Sequence, residues 1–93
     1  MEMNIEVNGK NIEVTERIQD YINKKVTKLE RLLNDIEEIR VDLAHVKSAR
    51  NAVDRQVAQI TIRGRGFILR TEERSDDIFA AIDASQEKMI RQV

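Results

Sequence analysis

The 93-residue sequence has no cysteine, no proline and no tryptophan, and only three glycines, one tyrosine, two phenylalanines and one histidine. Without cysteine there is neither a disulfide framework nor a thiolate metal site, which suits a reducing compartment. Without proline or low-complexity sequence there is no sign of an internal linker or disordered tail. Met1 leads directly into strand-like alternation, so no signal-peptide pattern is expected, and no apolar run approaches the roughly 20 residues that cross a bilayer. Three aromatics make a stacking platform for single-stranded nucleic acid an unpromising reading. His45 alone cannot supply the three protein ligands usual for catalytic zinc. It reads as a packed or edge histidine on the second strand. No phosphate-cradling glycine loop is present. Asp83 and Glu87 sit one helical turn apart but read better as a solvated face than as an acid–base pair. We expect no catalytic residue, no metal and no cofactor, hence a non-enzyme.

What is present is patterned apolar sequence in one small domain spanning 1–93. A chain this short buries only a little over ~60% of the surface it exposes when unfolded, so its core must be single. Residues 15–33 dominate. Ile18, Ile22, Val26, Leu29 and Leu33 recur at the helical period, with Thr15 placed to cap the helix. Arg17, Lys24, Lys28 and Arg31 share the opposite face, flanked by Glu16, Asp20 and Glu30. Before this helix, Met3, Ile5 and Val7 alternate with polar residues as a strand over 2–8, and Asn8-Gly9 signals a turn. After it, Asn34-Asp35 ends the helix. Residues 38–46 alternate again, with Ile39, Val41 and Leu43 on one side. A loop follows over 47–53. A third strand covers 55–63, with Ala58, Ile60 and Ile62 inward. Gly64 and Gly66 form a hairpin into a fourth strand over 67–73, where Phe67 and Leu69 face the core and Ile68 blurs the register.

Ser75, Asp76 or Asp77 caps a second helix that runs on to the end of the sequence. Its inner stripe is Ile78, Phe79, Ile82, Met89, Ile90 and Val93, weakened in the middle by Ser85 and Gln86. The expected fold is α+β, in the order β-α-β-β-β-α. Two helices cover one face of a mostly antiparallel four-stranded sheet. The other face is left polar, with Glu2, Asn4, Glu6, Arg40, Asp42, Gln59, Thr61, Arg63 and Arg70. The α-β-β-β-α portion has the element order of double-stranded-RNA-binding domains, a fold-level analogy.

The formal net charge of −1 argues against a dedicated nucleic-acid binder, but it hides an asymmetry. From Lys47 to Arg70 the charged residues are Lys47, Arg50, Asp54, Arg55, Arg63, Arg65 and Arg70, while Asp35, Glu37, Glu38, Glu72, Glu73, Asp76 and Asp77 gather the acid elsewhere. Local fields steer partners more than net charge does. Cations on a rigid helix and beside the RGRG turn suit the backbone and shape of folded RNA.

The opening MNIEVNGKNIEVTERIQDYINKKVTKLERL resembles the ribosome hibernation-promoting factors, also called ribosome-associated inhibitor, light-repressed or sigma-54 modulation proteins. The shared pattern of strand, glycine turn, I-x-V-T and K-K-x-x-K-L-E falls on Gly9, Ile12, Val14, Thr15, Lys24, Lys25, Lys28, Leu29 and Glu30. A second signature, D-x-[YF]-A-A-I-D, falls on Asp77, Phe79, Ala80, Ala81, Ile82 and Asp83. A third, K-[LM]-x-R-Q, falls on Lys88, Met89, Arg91 and Gln92. The resemblance implies a cytoplasmic stress protein that binds the small ribosomal subunit and its 16S rRNA. It would occupy the channel of mRNA and tRNA, block initiation and promote hibernation. By position it implies rRNA contacts at Lys24, Lys25, Lys28, Lys88 and Arg91. Charge placement adds Arg31, Lys47, Arg50, Arg63 and Arg65.

Two departures from the family pattern stand out. Members usually continue the second helix into a basic R-K-x-K tail, whereas this sequence ends at Val93. That suggests the N-terminal part of a longer protein, whose further domain would join two ribosomes. Ala84, Ser85 and Gln86 replace positions that are usually more apolar, so a looser second helix is expected. The alternative readings are a protein-interaction or dimerisation module, working through a sheet edge or that helix, and a general structured-RNA binder. Salt separates the first from an rRNA binder, because phosphate contacts weaken steeply with ionic strength. Affinity for naked duplex RNA separates the second.

Overall fold

The computed structural model describes residues 4–33, 35–47, 50–51 and 54–92. The elements are β1 (Asn4–Lys10), α1 (Glu16–Leu32), β2 (Ile36–His45), β3 (Gln56–Gly64), β4 (Phe67–Ser75) and α2 (Ile78–Gln92). The strands form one sheet in the order β1-β2-β3-β4. β1 runs parallel to β2, while β2–β3 and β3–β4 are antiparallel. A parallel neighbour needs a crossover, and α1 supplies it. The expected two-layer α+β architecture is what the chain adopts.

Periodicity explains the core. From α1 come Ile18, Ile22, Val26 and Leu29, from the sheet Ile39, Val41, Leu43, Ala58, Ile60 and Ile62, and from α2 Ile78, Ala81, Ile82 and Met89. Thr15 caps α1, its hydroxyl accepting from the Ile18 amide at 3.2 Å. Asp77 begins α2, its carboxylate accepting from the Phe79 amide at 3.3 Å. At the β3–β4 hairpin Gly66 takes φ +83°, a conformation that favours glycine. A Cβ on Gly64 would collide with the Phe67 ring, which lies over it. Phe67 and Leu69 pack on the core and Ile68 points out, which settles the register.

Four expectations need correction. Asn8-Gly9 is no turn. Both residues stay in β1, paired with Asp42 and Leu43, and the chain turns at Asn11, where φ is +59°. Asparagine tolerates that region better than most side chains. Ile5 is not sealed inside. It lies on β1, an edge strand with no neighbour on its far side among the described residues, and is 37% exposed. Ile90 lies off the buried stripe of α2, and Ala81, Ser85 and Gln86 fill the inner positions instead. Finally, Ser85 and Gln86 do not loosen α2, because both are buried and bonded. The Thr71 hydroxyl donates to the Ser85 carbonyl at 2.9 Å and lies 2.9 Å from the Ser85 hydroxyl. Gln86 Nε2 donates to the Lys25 carbonyl of α1 at 2.9 Å. Buried polar groups are tolerated once paired. The expectations for Glu2, Met3, Asn34, Ser48, Ala49, Ala52, Val53 and Val93 fall outside the described residues.

Candidate nucleic-acid interface

Tyr21 meets Phe79, and Lys25 meets both Asp83 and Gln86, so α1 and α2 run side by side in the same direction. The apolar stripe of α1 presses on the sheet. Lys24, Lys28 and Arg31 are thereby held on the solvent side, each exposed and spaced four and three residues apart on neighbouring turns. Among the described residues none of the three takes part in an ion pair. Arg17 continues the row, its guanidinium 5.3 Å from the centre of the Phe79 ring. It keeps its charge while the ring restrains it.

Lys25 is held differently. Its ammonium lies 3.1 Å from Asp83 Oδ1 and 5.2 Å from the centre of the Tyr21 ring. The Tyr21 hydroxyl donates to the same carboxylate, 2.7 Å from each oxygen. Tyr21 in turn stands edge-on to Phe79, with ring centres 5.0 Å apart at 81°. The bond to Asp83 raises the Lys25 ammonium above the ordinary lysine range, against the opposing effect of its partial burial. The Tyr21 phenol is raised as well, chiefly because its neutral form donates to the carboxylate. Asp83 is therefore no free member of a solvated face, as its spacing from Glu87 had suggested. It is the point where the two helices are tied.

The other candidates lie elsewhere. Lys88 and Arg91 are exposed on α2. Lys88 is roughly 200° around the helix from Gln86, which faces α1, so it projects from the far flank. Arg63 projects from the open sheet face, 3.4 Å from Glu37 and 3.9 Å from Glu38. Arg65 is exposed at the hairpin, where its amide donates to the Asp35 carbonyl at 3.1 Å. Lys47 and Arg50 are exposed beyond the end of β2. His45 ends β2, half-buried opposite Gln56.

The open sheet face is close to electrically balanced. Arg40 lies 3.6 Å from Glu6 and 3.2 Å from Asp42, and Arg74 lies 3.7 Å from Glu72. Among the described residues the helix layer thus presents a cationic row without ion-pair partners, whereas most charges of the open sheet face are paired. Among the described residues no three His, Cys, Asp or Glu side chains gather as a metal site, and no helix is long and apolar enough to cross a membrane. The Tyr21–Asp83 tie was missed in the sequence because its partners are 62 residues apart. The only signal was that Tyr21 and Asp83 each border an apolar stripe, on the flank a second helix would fill.

Comparison with known proteins follows the same lines. A relative from Staphylococcus aureus (strain COL), named ribosome hibernation promotion factor, is 39% identical over 88 residues. The match takes in 95% of this chain and 45% of that protein, so the chain spans about half the length of this curated relative. The N-terminal domain of Protein Y from Thermus thermophilus superposes with a TM-score of 0.80 at 33% identity, covering 97% of this chain and 94% of that one. A ribosomal subunit interface protein from Coxiella burnetii gives a TM-score of 0.81 over 97% of this chain and 92% of its own. At 17% identity it speaks for the fold alone. The profile of one family matches residues 5–93, nearly the whole sequence. The chain belongs to the sigma 54 modulation protein / S30EA ribosomal protein family.

Proposed function

We propose that this domain binds the small ribosomal subunit through 16S rRNA, occupies the mRNA and tRNA channel, and so blocks initiation and promotes ribosome hibernation under stress in the cytoplasm. Occlusion is a steric act and needs no bond made or broken. Family membership and the hibernation factor from Staphylococcus aureus support the reading. The observation that carries it is the row Lys24, Lys28 and Arg31, exposed on one rigid helix. Like charges one turn apart cost an isolated helix a few tenths of a kcal/mol per pair, roughly 0.2–0.5. A polyanion turns that cost into binding. Lys47, Arg50, Arg65, Lys88 and Arg91 extend the contact where the RNA wraps further. Arg63 contributes only by giving up its carboxylate partners.

If the three cations of the row each neutralise one phosphate, they account for about 2 to 3 log units of affinity per tenfold change in salt. Co-sedimentation with purified small subunits, at several salt concentrations, tests this. The variant is Lys24→Glu/Lys28→Glu/Arg31→Glu, with circular dichroism to confirm that it folds. Binding by the wild type that weakens with salt and disappears in the folded variant supports the proposal. Binding that survives charge reversal removes α1 from the interface.

A further inference from the structure

Within the α1–α2 tie, Lys25 differs from its neighbours in one respect. Lys24 and Lys28 offer their charge to solvent, whereas Lys25 faces Asp83 at 3.1 Å, with its side chain 26% exposed. The Asp83 carboxylate also takes the Tyr21 hydroxyl, 2.7 Å from each oxygen. Three side chains from two helices thus share one negative charge. The Lys25–Asp83 pair is electrically neutral, and an ammonium already matched to a carboxylate neutralises no phosphate, so it displaces none of the counterions condensed on the RNA. The carboxylate itself, still 40% exposed, repels a phosphate entering the groove between the helices. Gln86 adds to the tie by donating to the Lys25 carbonyl, so the backbone that carries the lysine is also fixed to α2.

We infer that Asp83 sets the affinity of this domain for RNA. By pairing with Lys25 it withholds that lysine from phosphate, and it limits α1 to the charge of the outer row. Lys25 is then a helix clamp, although it lies in the same lysine cluster as its neighbours. This rests on the reading of α1 as the RNA-facing helix.

The test is the salt slope of binding to purified small ribosomal subunits, measured with thermal melts for each variant. Asp83→Asn keeps the size of the side chain and an acceptor for Tyr21 but removes the charge. It should bind more tightly than wild type, with a slope steeper by about 0.7–0.9 log units, the share of one further phosphate. Lys25→Gln should melt earlier yet keep the wild-type slope. Lys28→Gln should lose about 0.7–0.9 log units of slope. Tyr21→Phe removes a hydroxyl and no charge. It should melt earlier with its slope unchanged, which separates the electrostatic role from helix packing. Weaker binding or an unchanged slope in Asp83→Asn overturns the inference. So does a Lys25→Gln slope that falls as far as that of Lys28→Gln, a comparison that decides the matter even if Asp83→Asn does not fold. If Lys24→Gln and Lys28→Gln both keep the wild-type slope, α1 is not on the RNA, and the inference falls with the reading it rests on.

Discussion

The hydroxyl pair beneath α2 can be put to a quantitative test. Thr71 on β4 is 3% exposed and Ser85 on α2 is fully buried, and their oxygens lie 2.9 Å apart. Replacing Thr71 by Val keeps the shape but leaves the Ser85 hydroxyl without its cross-layer partner. It also removes the donor to the Ser85 carbonyl, so the cost should be about 1–2 kcal/mol. Ser85→Ala is milder, because Thr71 can still donate to that carbonyl, and about 1 kcal/mol or less is expected. In the double variant neither oxygen is stranded. Its cost should therefore fall short of the sum of the singles by about 0.5–1 kcal/mol. Urea unfolding followed by circular dichroism gives all three values, with an unchanged m-value as the condition for comparing midpoints. A double variant that loses the full sum, or more, would show that the hydroxyls are not coupled and refute the account of why α2 tolerates serine at its buried centre.

The α1–α2 tie makes two further predictions. Tyr21→Phe loses a hydrogen bond to a partly exposed carboxylate, so about 1 kcal/mol is expected, seen as a melting temperature lower by about 4–8 °C. The Lys25 ammonium and the Tyr21 phenol are both raised by Asp83. The folded state therefore holds these protons more tightly than the unfolded chain does. Their contribution is complete below about pH 10, the ordinary range of both groups, and is lost as pH rises through the higher folded values. Urea midpoints measured at pH 9 and pH 11 should fall in the wild type and fall less in Tyr21→Phe. An equal fall in both would contradict the assignment.

The sequence made the framework legible where one side chain decides one outcome. The four-residue rhythm of Ile18, Ile22 and Val26, the Thr15 cap and the alternation of Ile39, Val41 and Leu43 each report a local geometry. It misled where a partner far along the chain changes what a residue means. Ser85 reads as a flaw in an apolar stripe until Thr71, 14 residues earlier, is placed against it. Gln86 reads as a second flaw in that stripe until the Lys25 carbonyl, 61 residues away, is known to face it. Lys25 is indistinguishable from Lys24 in a list of basic residues, and only the position of Asp83 separates them. Asn8-Gly9 carries a real turn preference, but seven rungs of pairing with β2 outweigh it. The cations of α1 were legible as a face, and their division into free and tied charge was not.

The parallel pairing of β1 with β2 bears on the order of folding. β2, β3 and β4 follow one another as antiparallel neighbours, their pairing starting from His45–Gln56, 11 residues apart, and Gly64–Phe67, 3 residues apart, and α2 follows directly on β4. The side chains of Asn8 and Asp42, which bond between β1 and β2, stand 34 residues apart. β1 can therefore gain nothing from the sheet until α1 has traversed its length and closed that loop, an entropic cost met before any contact returns it. With most of its residues exposed and only Val7 packed on the core, β1 has little to gain even then. The meander and α2 are therefore expected to form first, with β1 added last.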